Sequence, residues 1–313
     1  MHYTTLGRTG LKVSVAGLGC GGNSRIGLGA GLTSAQSVAL IHAALDLGVN
    51  LIDTAEVYGT EEIVGKALEG RRDQVVLSTK ALPVYNDKLI KPKRFRKSVE
   101  RSLKALRTDR IDLFFVHGMG VRHLQHCRDV LVPELLRLQE AGKIRYLAAS
   151  EAFASDQGHD TIGQSLDAGD DWYDVLMVGH NPFNPSARDR VFAATQERDI
   201  GILVMFAVRK ALASPDGIRR VVQSLVSSGH LDPELVDLDD PLGFLVEEGV
   251  ALRDAGITLP VLVMGPSQHG GEEEMLARDL TPVISEASEV APPALPERLG
   301  GPAGLTADRK SVV

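Results

Sequence analysis

Cysteine is nearly absent from this chain, which has only Cys20 and Cys127 among 313 residues. Neither shows metal-ligand spacing, and two isolated thiols argue against a disulfide framework. A reducing, cytoplasmic compartment suits them. Long apolar runs are lacking too. None reaches the ~20 residues needed to span a bilayer, and residues 1–20 carry no apolar signal segment, so no membrane association is expected. An excess of positive charge is also missing. The formal net charge is −7, from 34 basic and 41 acidic residues, so no nucleic-acid partner is expected. The one basic run, KLIKPKRFRKSVERSLK (88–104), has apolar residues at helical spacing and reads as a solvated helix face. Tryptophan occurs once, at Trp172, a ready fluorescence probe.

Short apolar runs alternate with helical patterns along the chain. LGRTGLKVS (6–14) predicts a hairpin turning at Thr9 and Gly10, and VAGLGC (15–20) a first strand. SAQSVALIHAALDLG (34–48) predicts an amphipathic helix with Ser34 as its N-cap and Gly48 as its stop. Further strands are expected at NLIDTA (50–55), VVLST before Lys80, DLFFV before His117, IRYLAAS (144–150), VLMVGH (175–180), GILVMF (201–206) and LPVLVMG (259–265). Helices are expected over 61–70, about 93–107, near 130–141 and over 187–199.

Eight buried strands, each followed by helix or loop, predict an α/β fold of the (β/α)8 TIM-barrel type, preceded by the hairpin. The barrel is expected over residues 1–285, with 286–313 as a C-terminal segment packed on or near it. The rival is an open doubly wound sheet, which needs a Gly-rich phosphate loop. GLGCGGNSRIGLGAG (17–31) follows a strand but lacks G-x-G-x-x-G spacing. It reads as a flexible loop on the catalytic face or as a plain connector.

In a barrel, chemistry sits at the carboxyl ends of the strands. Asp53, Lys80 and His117 each close a predicted strand, and Tyr58 lies in the loop after the first of these. Singly, each has a bland reading: a helix cap, a solvated amine, a core histidine or a packed ring. Together on one rim they make an acid–base set. A phenol is a poor acid at neutral pH, and an adjacent ammonium favours its phenolate. A carboxylate keeps that ammonium charged and in place, and an imidazole orients a carbonyl oxygen. Such a set protonates a carbonyl oxygen as hydride reaches carbon, or runs in reverse. No metal-ligand cluster and no G-x-S-x-G nucleophile turn compete with it.

These residues stand in stretches that resemble the aldo-keto reductase family. The resemblance rests on LGRTGLKVSVAGLG, NLIDTAEVYG…EEIVGKALEG, VVLSTK, SVERSLKALRTDRIDLFFVHG and LLRLQEAGKIRYLAAS, nearly without gaps over residues 3–150. It continues more weakly to about residue 300, where PPALPERL (292–299) looks like the family's C-terminal segment. The resemblance implies a barrel that uses NADP(H), less often NAD(H), to interconvert carbonyls and alcohols on a small-molecule or sugar-like substrate. It implies Tyr58 as general acid/base, Lys80 and Asp53 as its tuning pair, and His117 as the orienting residue. It leaves substrate and oligomeric state open.

The second half departs from the family pattern. Ser150-Glu151 stands where Ser-Asn usually holds the nicotinamide carboxamide, and Met177 where a Gln commonly does so. Met205 takes the place of the aromatic that stacks on the nicotinamide, and Phe206 that of a Ser near the pyrophosphate. Arg209 or Lys210 is a candidate phosphate contact, with a solvated pair as the alternative. Gly265 and Ser267 match the adenosine end, but Glu272, Glu273 and Glu274 follow, Met275 stands where Asn is expected, and no basic residue comes before Arg278. Acidic residues beside a 2′-phosphate repel it, so NADH is expected to bind at least as well as NADPH. Two other readings remain: a lyase or dehydratase with a degenerate cofactor site, and a ligand-binding barrel without turnover.

Overall fold

The computed structural model describes residues 1–181, 184–207, 215–233, 261–263 and 280–282. The chain forms two compact units, Met1–Ala207 and Val208–Val313. In the first unit the strands are β1 (Tyr3–Thr5), β2 (Lys12–Ser14), β3 (Leu18–Gly19), β4 (Leu51–Asp53), β5 (Val76–Ala81), β6 (Val84–Tyr85), β7 (Lys88–Leu89), β8 (Ile111–Met119), β9 (Ile144–Glu151), β10 (Val175–Gly179) and β11 (Gly201–Met205). Its helices are α1 (Ser34–Asp46), α2 (Glu61–Ala67), α3 (Pro92–Ala105), α4 (Leu124–His126), α5 (Val132–Glu140), α6 (Asp160–Asp167) and α7 (Ala193–Glu197).

Seven strands make one sheet in the order β11-β10-β9-β8-β5-β4-β3, parallel at every step. Strand–helix alternation in a parallel sheet is the (β/α) barrel pattern. The run around LPVLVMG holds β12 (Val261–Val263) in the second unit. It pairs in parallel with β13 (Leu280–Pro282) as a separate two-stranded sheet, and α8 (Pro215–Ser227) is that unit's described helix. The boundary expected after residue 285 lies outside the described residues.

The two faces of the parallel sheet follow from the two-residue period of a strand. Leu51, Val76, Leu113, Phe115, Ala148, Val175 and Met177 pack in one buried cluster, with Leu203 and Met205 against it. Their neighbours Ile52, Leu77, Phe114, Val116, Ala149, Leu176 and Val178 pack on the opposite face with the helices' apolar residues. The antiparallel pair β1–β2, in register Tyr3–Ser14, adds Leu6, Leu11 and Val13 to the first cluster. Its first strand starts three residues earlier than the sequence suggested, at Tyr3 rather than Leu6. A 3-10 turn at Gly7–Thr9 and a left-handed Gly10 lie between them.

Two local expectations need correction. The N-cap of α1 is Thr33 rather than Ser34, because Gln36 stands three residues after Thr33 and closes a capping box with it. The 17–31 segment is wound on itself rather than loose. Arg25 N–H donates to the Gly21 carbonyl, Gly29 N–H to Ser24 and Leu32 N–H to Gly27.

Candidate active site

The strand period also explains why the polar residues meet. Asp53 is two residues beyond Leu51, Ser78 and Lys80 are two and four beyond Val76, and His117 is two beyond Phe115. All four therefore share the face of the first cluster. β4, β5 and β8 are neighbours in the sheet, so their carboxyl ends lie side by side.

Lys80 is 1 % exposed. Burying an ammonium this deeply requires acceptors for its protons. Nζ donates to Asp53 Oδ1 at 2.6 Å and Oδ2 at 2.5 Å, and to the Thr54 carbonyl at 2.9 Å. Ser78 Oγ–H donates to Asp53 Oδ1 at 2.6 Å and fixes the carboxylate from the other side. Nζ stands 5.2 Å from the centroid of the Tyr58 ring and 5.7 Å from that of Phe115. Cys20 packs near this pair, and burial, reinforced by Asp53, pushes its thiol up to about 12. That thiol is inert at neutral pH.

His117 lies where β8 breaks register with β9, between Val116 and Met119, and Gly118 follows with φ +61°. Such bulges re-aim side chains beside functional sites. Nε2 comes within 3.4 Å of the Tyr58 hydroxyl, and the two rings meet edge to face with centroids 5.5 Å apart. Burial, then the Lys80 charge, lowers the imidazole from 6.5 to about 3. His117 is therefore neutral at physiological pH. Its Nδ1 is buried without a hydrogen-bond partner. A bare lone pair there costs less than a stranded N–H, so the proton belongs on Nε2, facing Tyr58. Imidazole ¹⁵N shifts, with His117→Asn to assign the resonance, are expected to show one neutral Nε2–H tautomer from about pH 5 to 8. The unfolded imidazole protonates first, so His117 costs the native state stability as pH falls from 6.5 towards about 3. The His117→Asn variant lacks this acid-side loss. A titration of His117 near pH 6.5 in the folded protein would contradict the assignment.

The remaining candidates scatter. Ser150 is buried on the same face as Ala148, and its Oγ accepts the Gly118 N–H at 2.9 Å. Glu151 is the next residue and so points to the helix side. There it is spent: both oxygens lie 3.0 Å from His159 Nδ1, and Oε1 accepts the Gly179 N–H at 2.8 Å. Burial raises the Glu151 carboxyl against those hydrogen bonds. Met177 and Met205 belong to the inward cluster. Phe206 has φ +63° and its ring lies 5.3 Å from that of Phe153, which stacks on His159. Arg209, Lys210, Gly265, Ser267, the three glutamates 272–274, Met275 and Arg278 lie outside the described residues.

Sequence reasoning missed Ser78 and His159, the partners of Asp53 and Glu151. Ser78 was within reach, because strand alternation puts it beside Lys80. Nothing local marks His159 as the partner of Glu151. Among the described residues no group of three or more His, Cys, Asp or Glu is placed to hold a metal ion, and no helix is long and apolar enough to cross a membrane.

The model of the aldo/keto reductase family matches residues 17–220. The chain is 42 % identical over 168 residues to aldo-keto reductase YhdN of Bacillus subtilis, covering 48 % of this chain and 47 % of that protein. It is 31 % identical over 159 residues to the uncharacterized oxidoreductase YqkF of the same organism. It spans about half the length of these curated relatives. An aldo/keto reductase from Klebsiella pneumoniae, solved with NADP and acetate, superposes with TM-score 0.56 at 22 % identity, over 89 % of this chain and 90 % of that one. The holo form of an aldo-keto reductase from Bacillus halodurans gives 0.54 at 22 % identity, over 90 % and 84 %. At such identities these two likenesses speak for the fold alone. The family match spans all seven strands of the parallel sheet and every member of the Asp53–Tyr58–Lys80–His117 cluster, and the chain belongs to the aldo/keto reductase family.

Proposed function

We propose that the chain is an NAD(P)H-dependent oxidoreductase that interconverts a carbonyl and an alcohol on a small molecule, with Tyr58 as general acid/base. The observation that carries this reading is the contact of the Tyr58 hydroxyl with a neutral His117, beside the buried Lys80–Asp53 pair. In reduction, the carbonyl oxygen sits against the Tyr58 hydroxyl and the His117 Nε2–H. Nε2–H orients the oxygen, and the phenol gives it a proton as negative charge builds. The Lys80 ammonium then steadies the phenolate, and Asp53 and Ser78 keep Lys80 in place. Alcohol oxidation runs the same proton path backwards.

A bound nicotinamide supplies the hydride. Ser150 suits it: its oxygen is occupied by the Gly118 N–H, while its own O–H finds no acceptor among the described residues and is free for a carboxamide oxygen. Glu151 does not take part, since its carboxylate is consumed by His159 and Gly179.

The test is a fluorescence titration with NADPH and NADH at one ionic strength, followed by turnover of a generic aldehyde. NADH is expected to bind at least as well as NADPH. That expectation rests on the sequence alone, in which Glu272, Glu273 and Glu274 follow the stretch that resembles the family's adenosine end; an unpaired like-charge contact with a 2′-phosphate would cost on the order of 1 kcal/mol even when partly solvated. A tenfold preference for NADPH overturns the electrostatic argument. Binding of neither moves the assignment to the lyase or dehydratase reading.

A further inference from the structure

Tyr58 ends a 3-10 turn, Glu56–Tyr58, and is followed by Gly59 with φ +66°. Within the turn Tyr58 N–H donates to Ala55 C=O at 3.0 Å, and Arg101 pairs with the Glu56 carboxylate. A catalytic phenol also needs its ring plane and backbone fixed, because an error of about 1 Å costs on the order of 10²-fold in rate.

Residues 21–25 supply a constraint from two sides. Gly21 lies flat against the Tyr58 ring. A Cβ at Gly21 would stand 2.4 Å from Cε2 and 2.8 Å from Cζ, the atom that bears the hydroxyl. Arg25 then reaches back, and its Nε–H donates to the Tyr58 carbonyl at 2.9 Å. The guanidinium covers Gly59, where a Cβ would meet Nη2 at 3.0 Å. Arg25 and Ile26 hold φ +44° and +53°, a region that L-residues avoid. Ile26 is buried in the core and anchors the turn. Strain of this kind survives only where its surroundings over-determine it, and it gathers at functional sites.

We infer that Gly21 and Arg25 form a clamp that sets the Tyr58 phenol against His117 and Lys80, which makes Arg25 a positioning residue that acts through Tyr58. The inference rests on Tyr58 being the acid/base. It differs from a simple backbone cap, which would matter for stability alone, and from a charge that attracts acidic substrates, which would matter for substrate binding.

The experiment compares Arg25→Gln, Arg25→Lys and Gly21→Ala with wild type, with Tyr58→Phe as reference. Reduction of 4-nitrobenzaldehyde by NADH gives kcat and KM. Alkaline difference spectra against Tyr58→Phe isolate the Tyr58 phenol without any substrate. Arg25→Gln and Gly21→Ala are expected to lower kcat about 10- to 100-fold with KM little changed. Both are expected to shift the Tyr58 titration while Tm stays near wild type. Arg25→Lys keeps a donor for the Tyr58 carbonyl but loses the flat guanidinium over Gly59, so it is not expected to restore kcat in full. An unchanged kcat and titration in Arg25→Gln overturns the clamp. So does a rise in KM alone, or full rescue by Lys. If Tyr58→Phe itself keeps turnover, the mechanism fails, but the difference spectra still decide whether the clamp holds the phenol.

Discussion

Tyr58→Phe is expected to lower turnover by about 10²–10⁴-fold or more while leaving the fold intact. The ring stays against Gly21, and what disappears is the hydroxyl that meets His117 Nε2 at 3.4 Å. No nearby group replaces it. His117 is neutral, with its value pushed down to about 3, and would have to become an imidazolate to give up its proton. The Cys20 thiol is held up at about 12. The Lys80 ammonium is committed to Asp53 and Thr54. Steady-state rates on an aldehyde, with circular dichroism as the folding control, make the measurement. Retention of most wild-type activity would falsify the assigned chemistry.

Lys80→Met should have the next largest effect, in two separable parts. The first is structural. Lys80 spends its donors on Asp53 and Thr54 deep in the sheet. Its loss leaves a carboxylate with Ser78 as its remaining donor and a buried carbonyl unmatched. Breaking a buried pair costs about 3–5 kcal/mol, and the partial exposure of Asp53 puts this case at the lower end. The second part is chemical. The positive charge 5.2 Å from the Tyr58 ring centroid disappears, so the phenolate loses its support. Turnover should fall at least about 100-fold. Whatever rate survives should follow a pH profile displaced to the alkaline side. An undisplaced profile rules Lys80 out as the group that tunes Tyr58. Pairing the change with Asp53→Asn separates the parts. The double variant should recover stability, because no charge is then stranded, but not turnover.

Strand alternation accounts for what the sequence made legible. Asp53, Lys80 and His117 each end an apolar run at an even offset from an inward residue, so one rule puts them on one face. The same rule separates Ser150 from Glu151, since adjacent strand residues cannot face the same way. The cap of α1 was a contest between two neighbouring hydroxyls, decided by Gln36. Helix α6 went unread because DTIGQSLD offers few apolar positions and begins after His159 in a left-handed conformation. The β6–β7 hairpin was readable in principle. Asn86 and Asp87 take φ +47° and +57°, the turn those residues favour. His159, Gly21 and Arg25 act through contacts across loops, and no local pattern encodes them.

The β1–β2 hairpin sets a timetable for the growing chain. Leu6, Leu11 and Val13 are made well before the residues that seat them. Arg8 N–H donates to the Asp199 carbonyl at 2.6 Å, and its side chain grips Asp171 and Asp174. Gly7 can approach Gly201 because it has no Cβ, which would stand 2.3 Å from the Gly201 nitrogen. At synthesis rates of about 5–20 residues per second, roughly 10–40 s pass before the hairpin's seat exists. During that interval a short strand pair with open edges waits in solvent with Leu6, Leu11 and Val13 uncovered, the kind of surface that invites mispairing. Ribosome-bound chains halted before residue 199 should hold the hairpin unprotected in hydrogen exchange, and chains halted well past residue 205 should not.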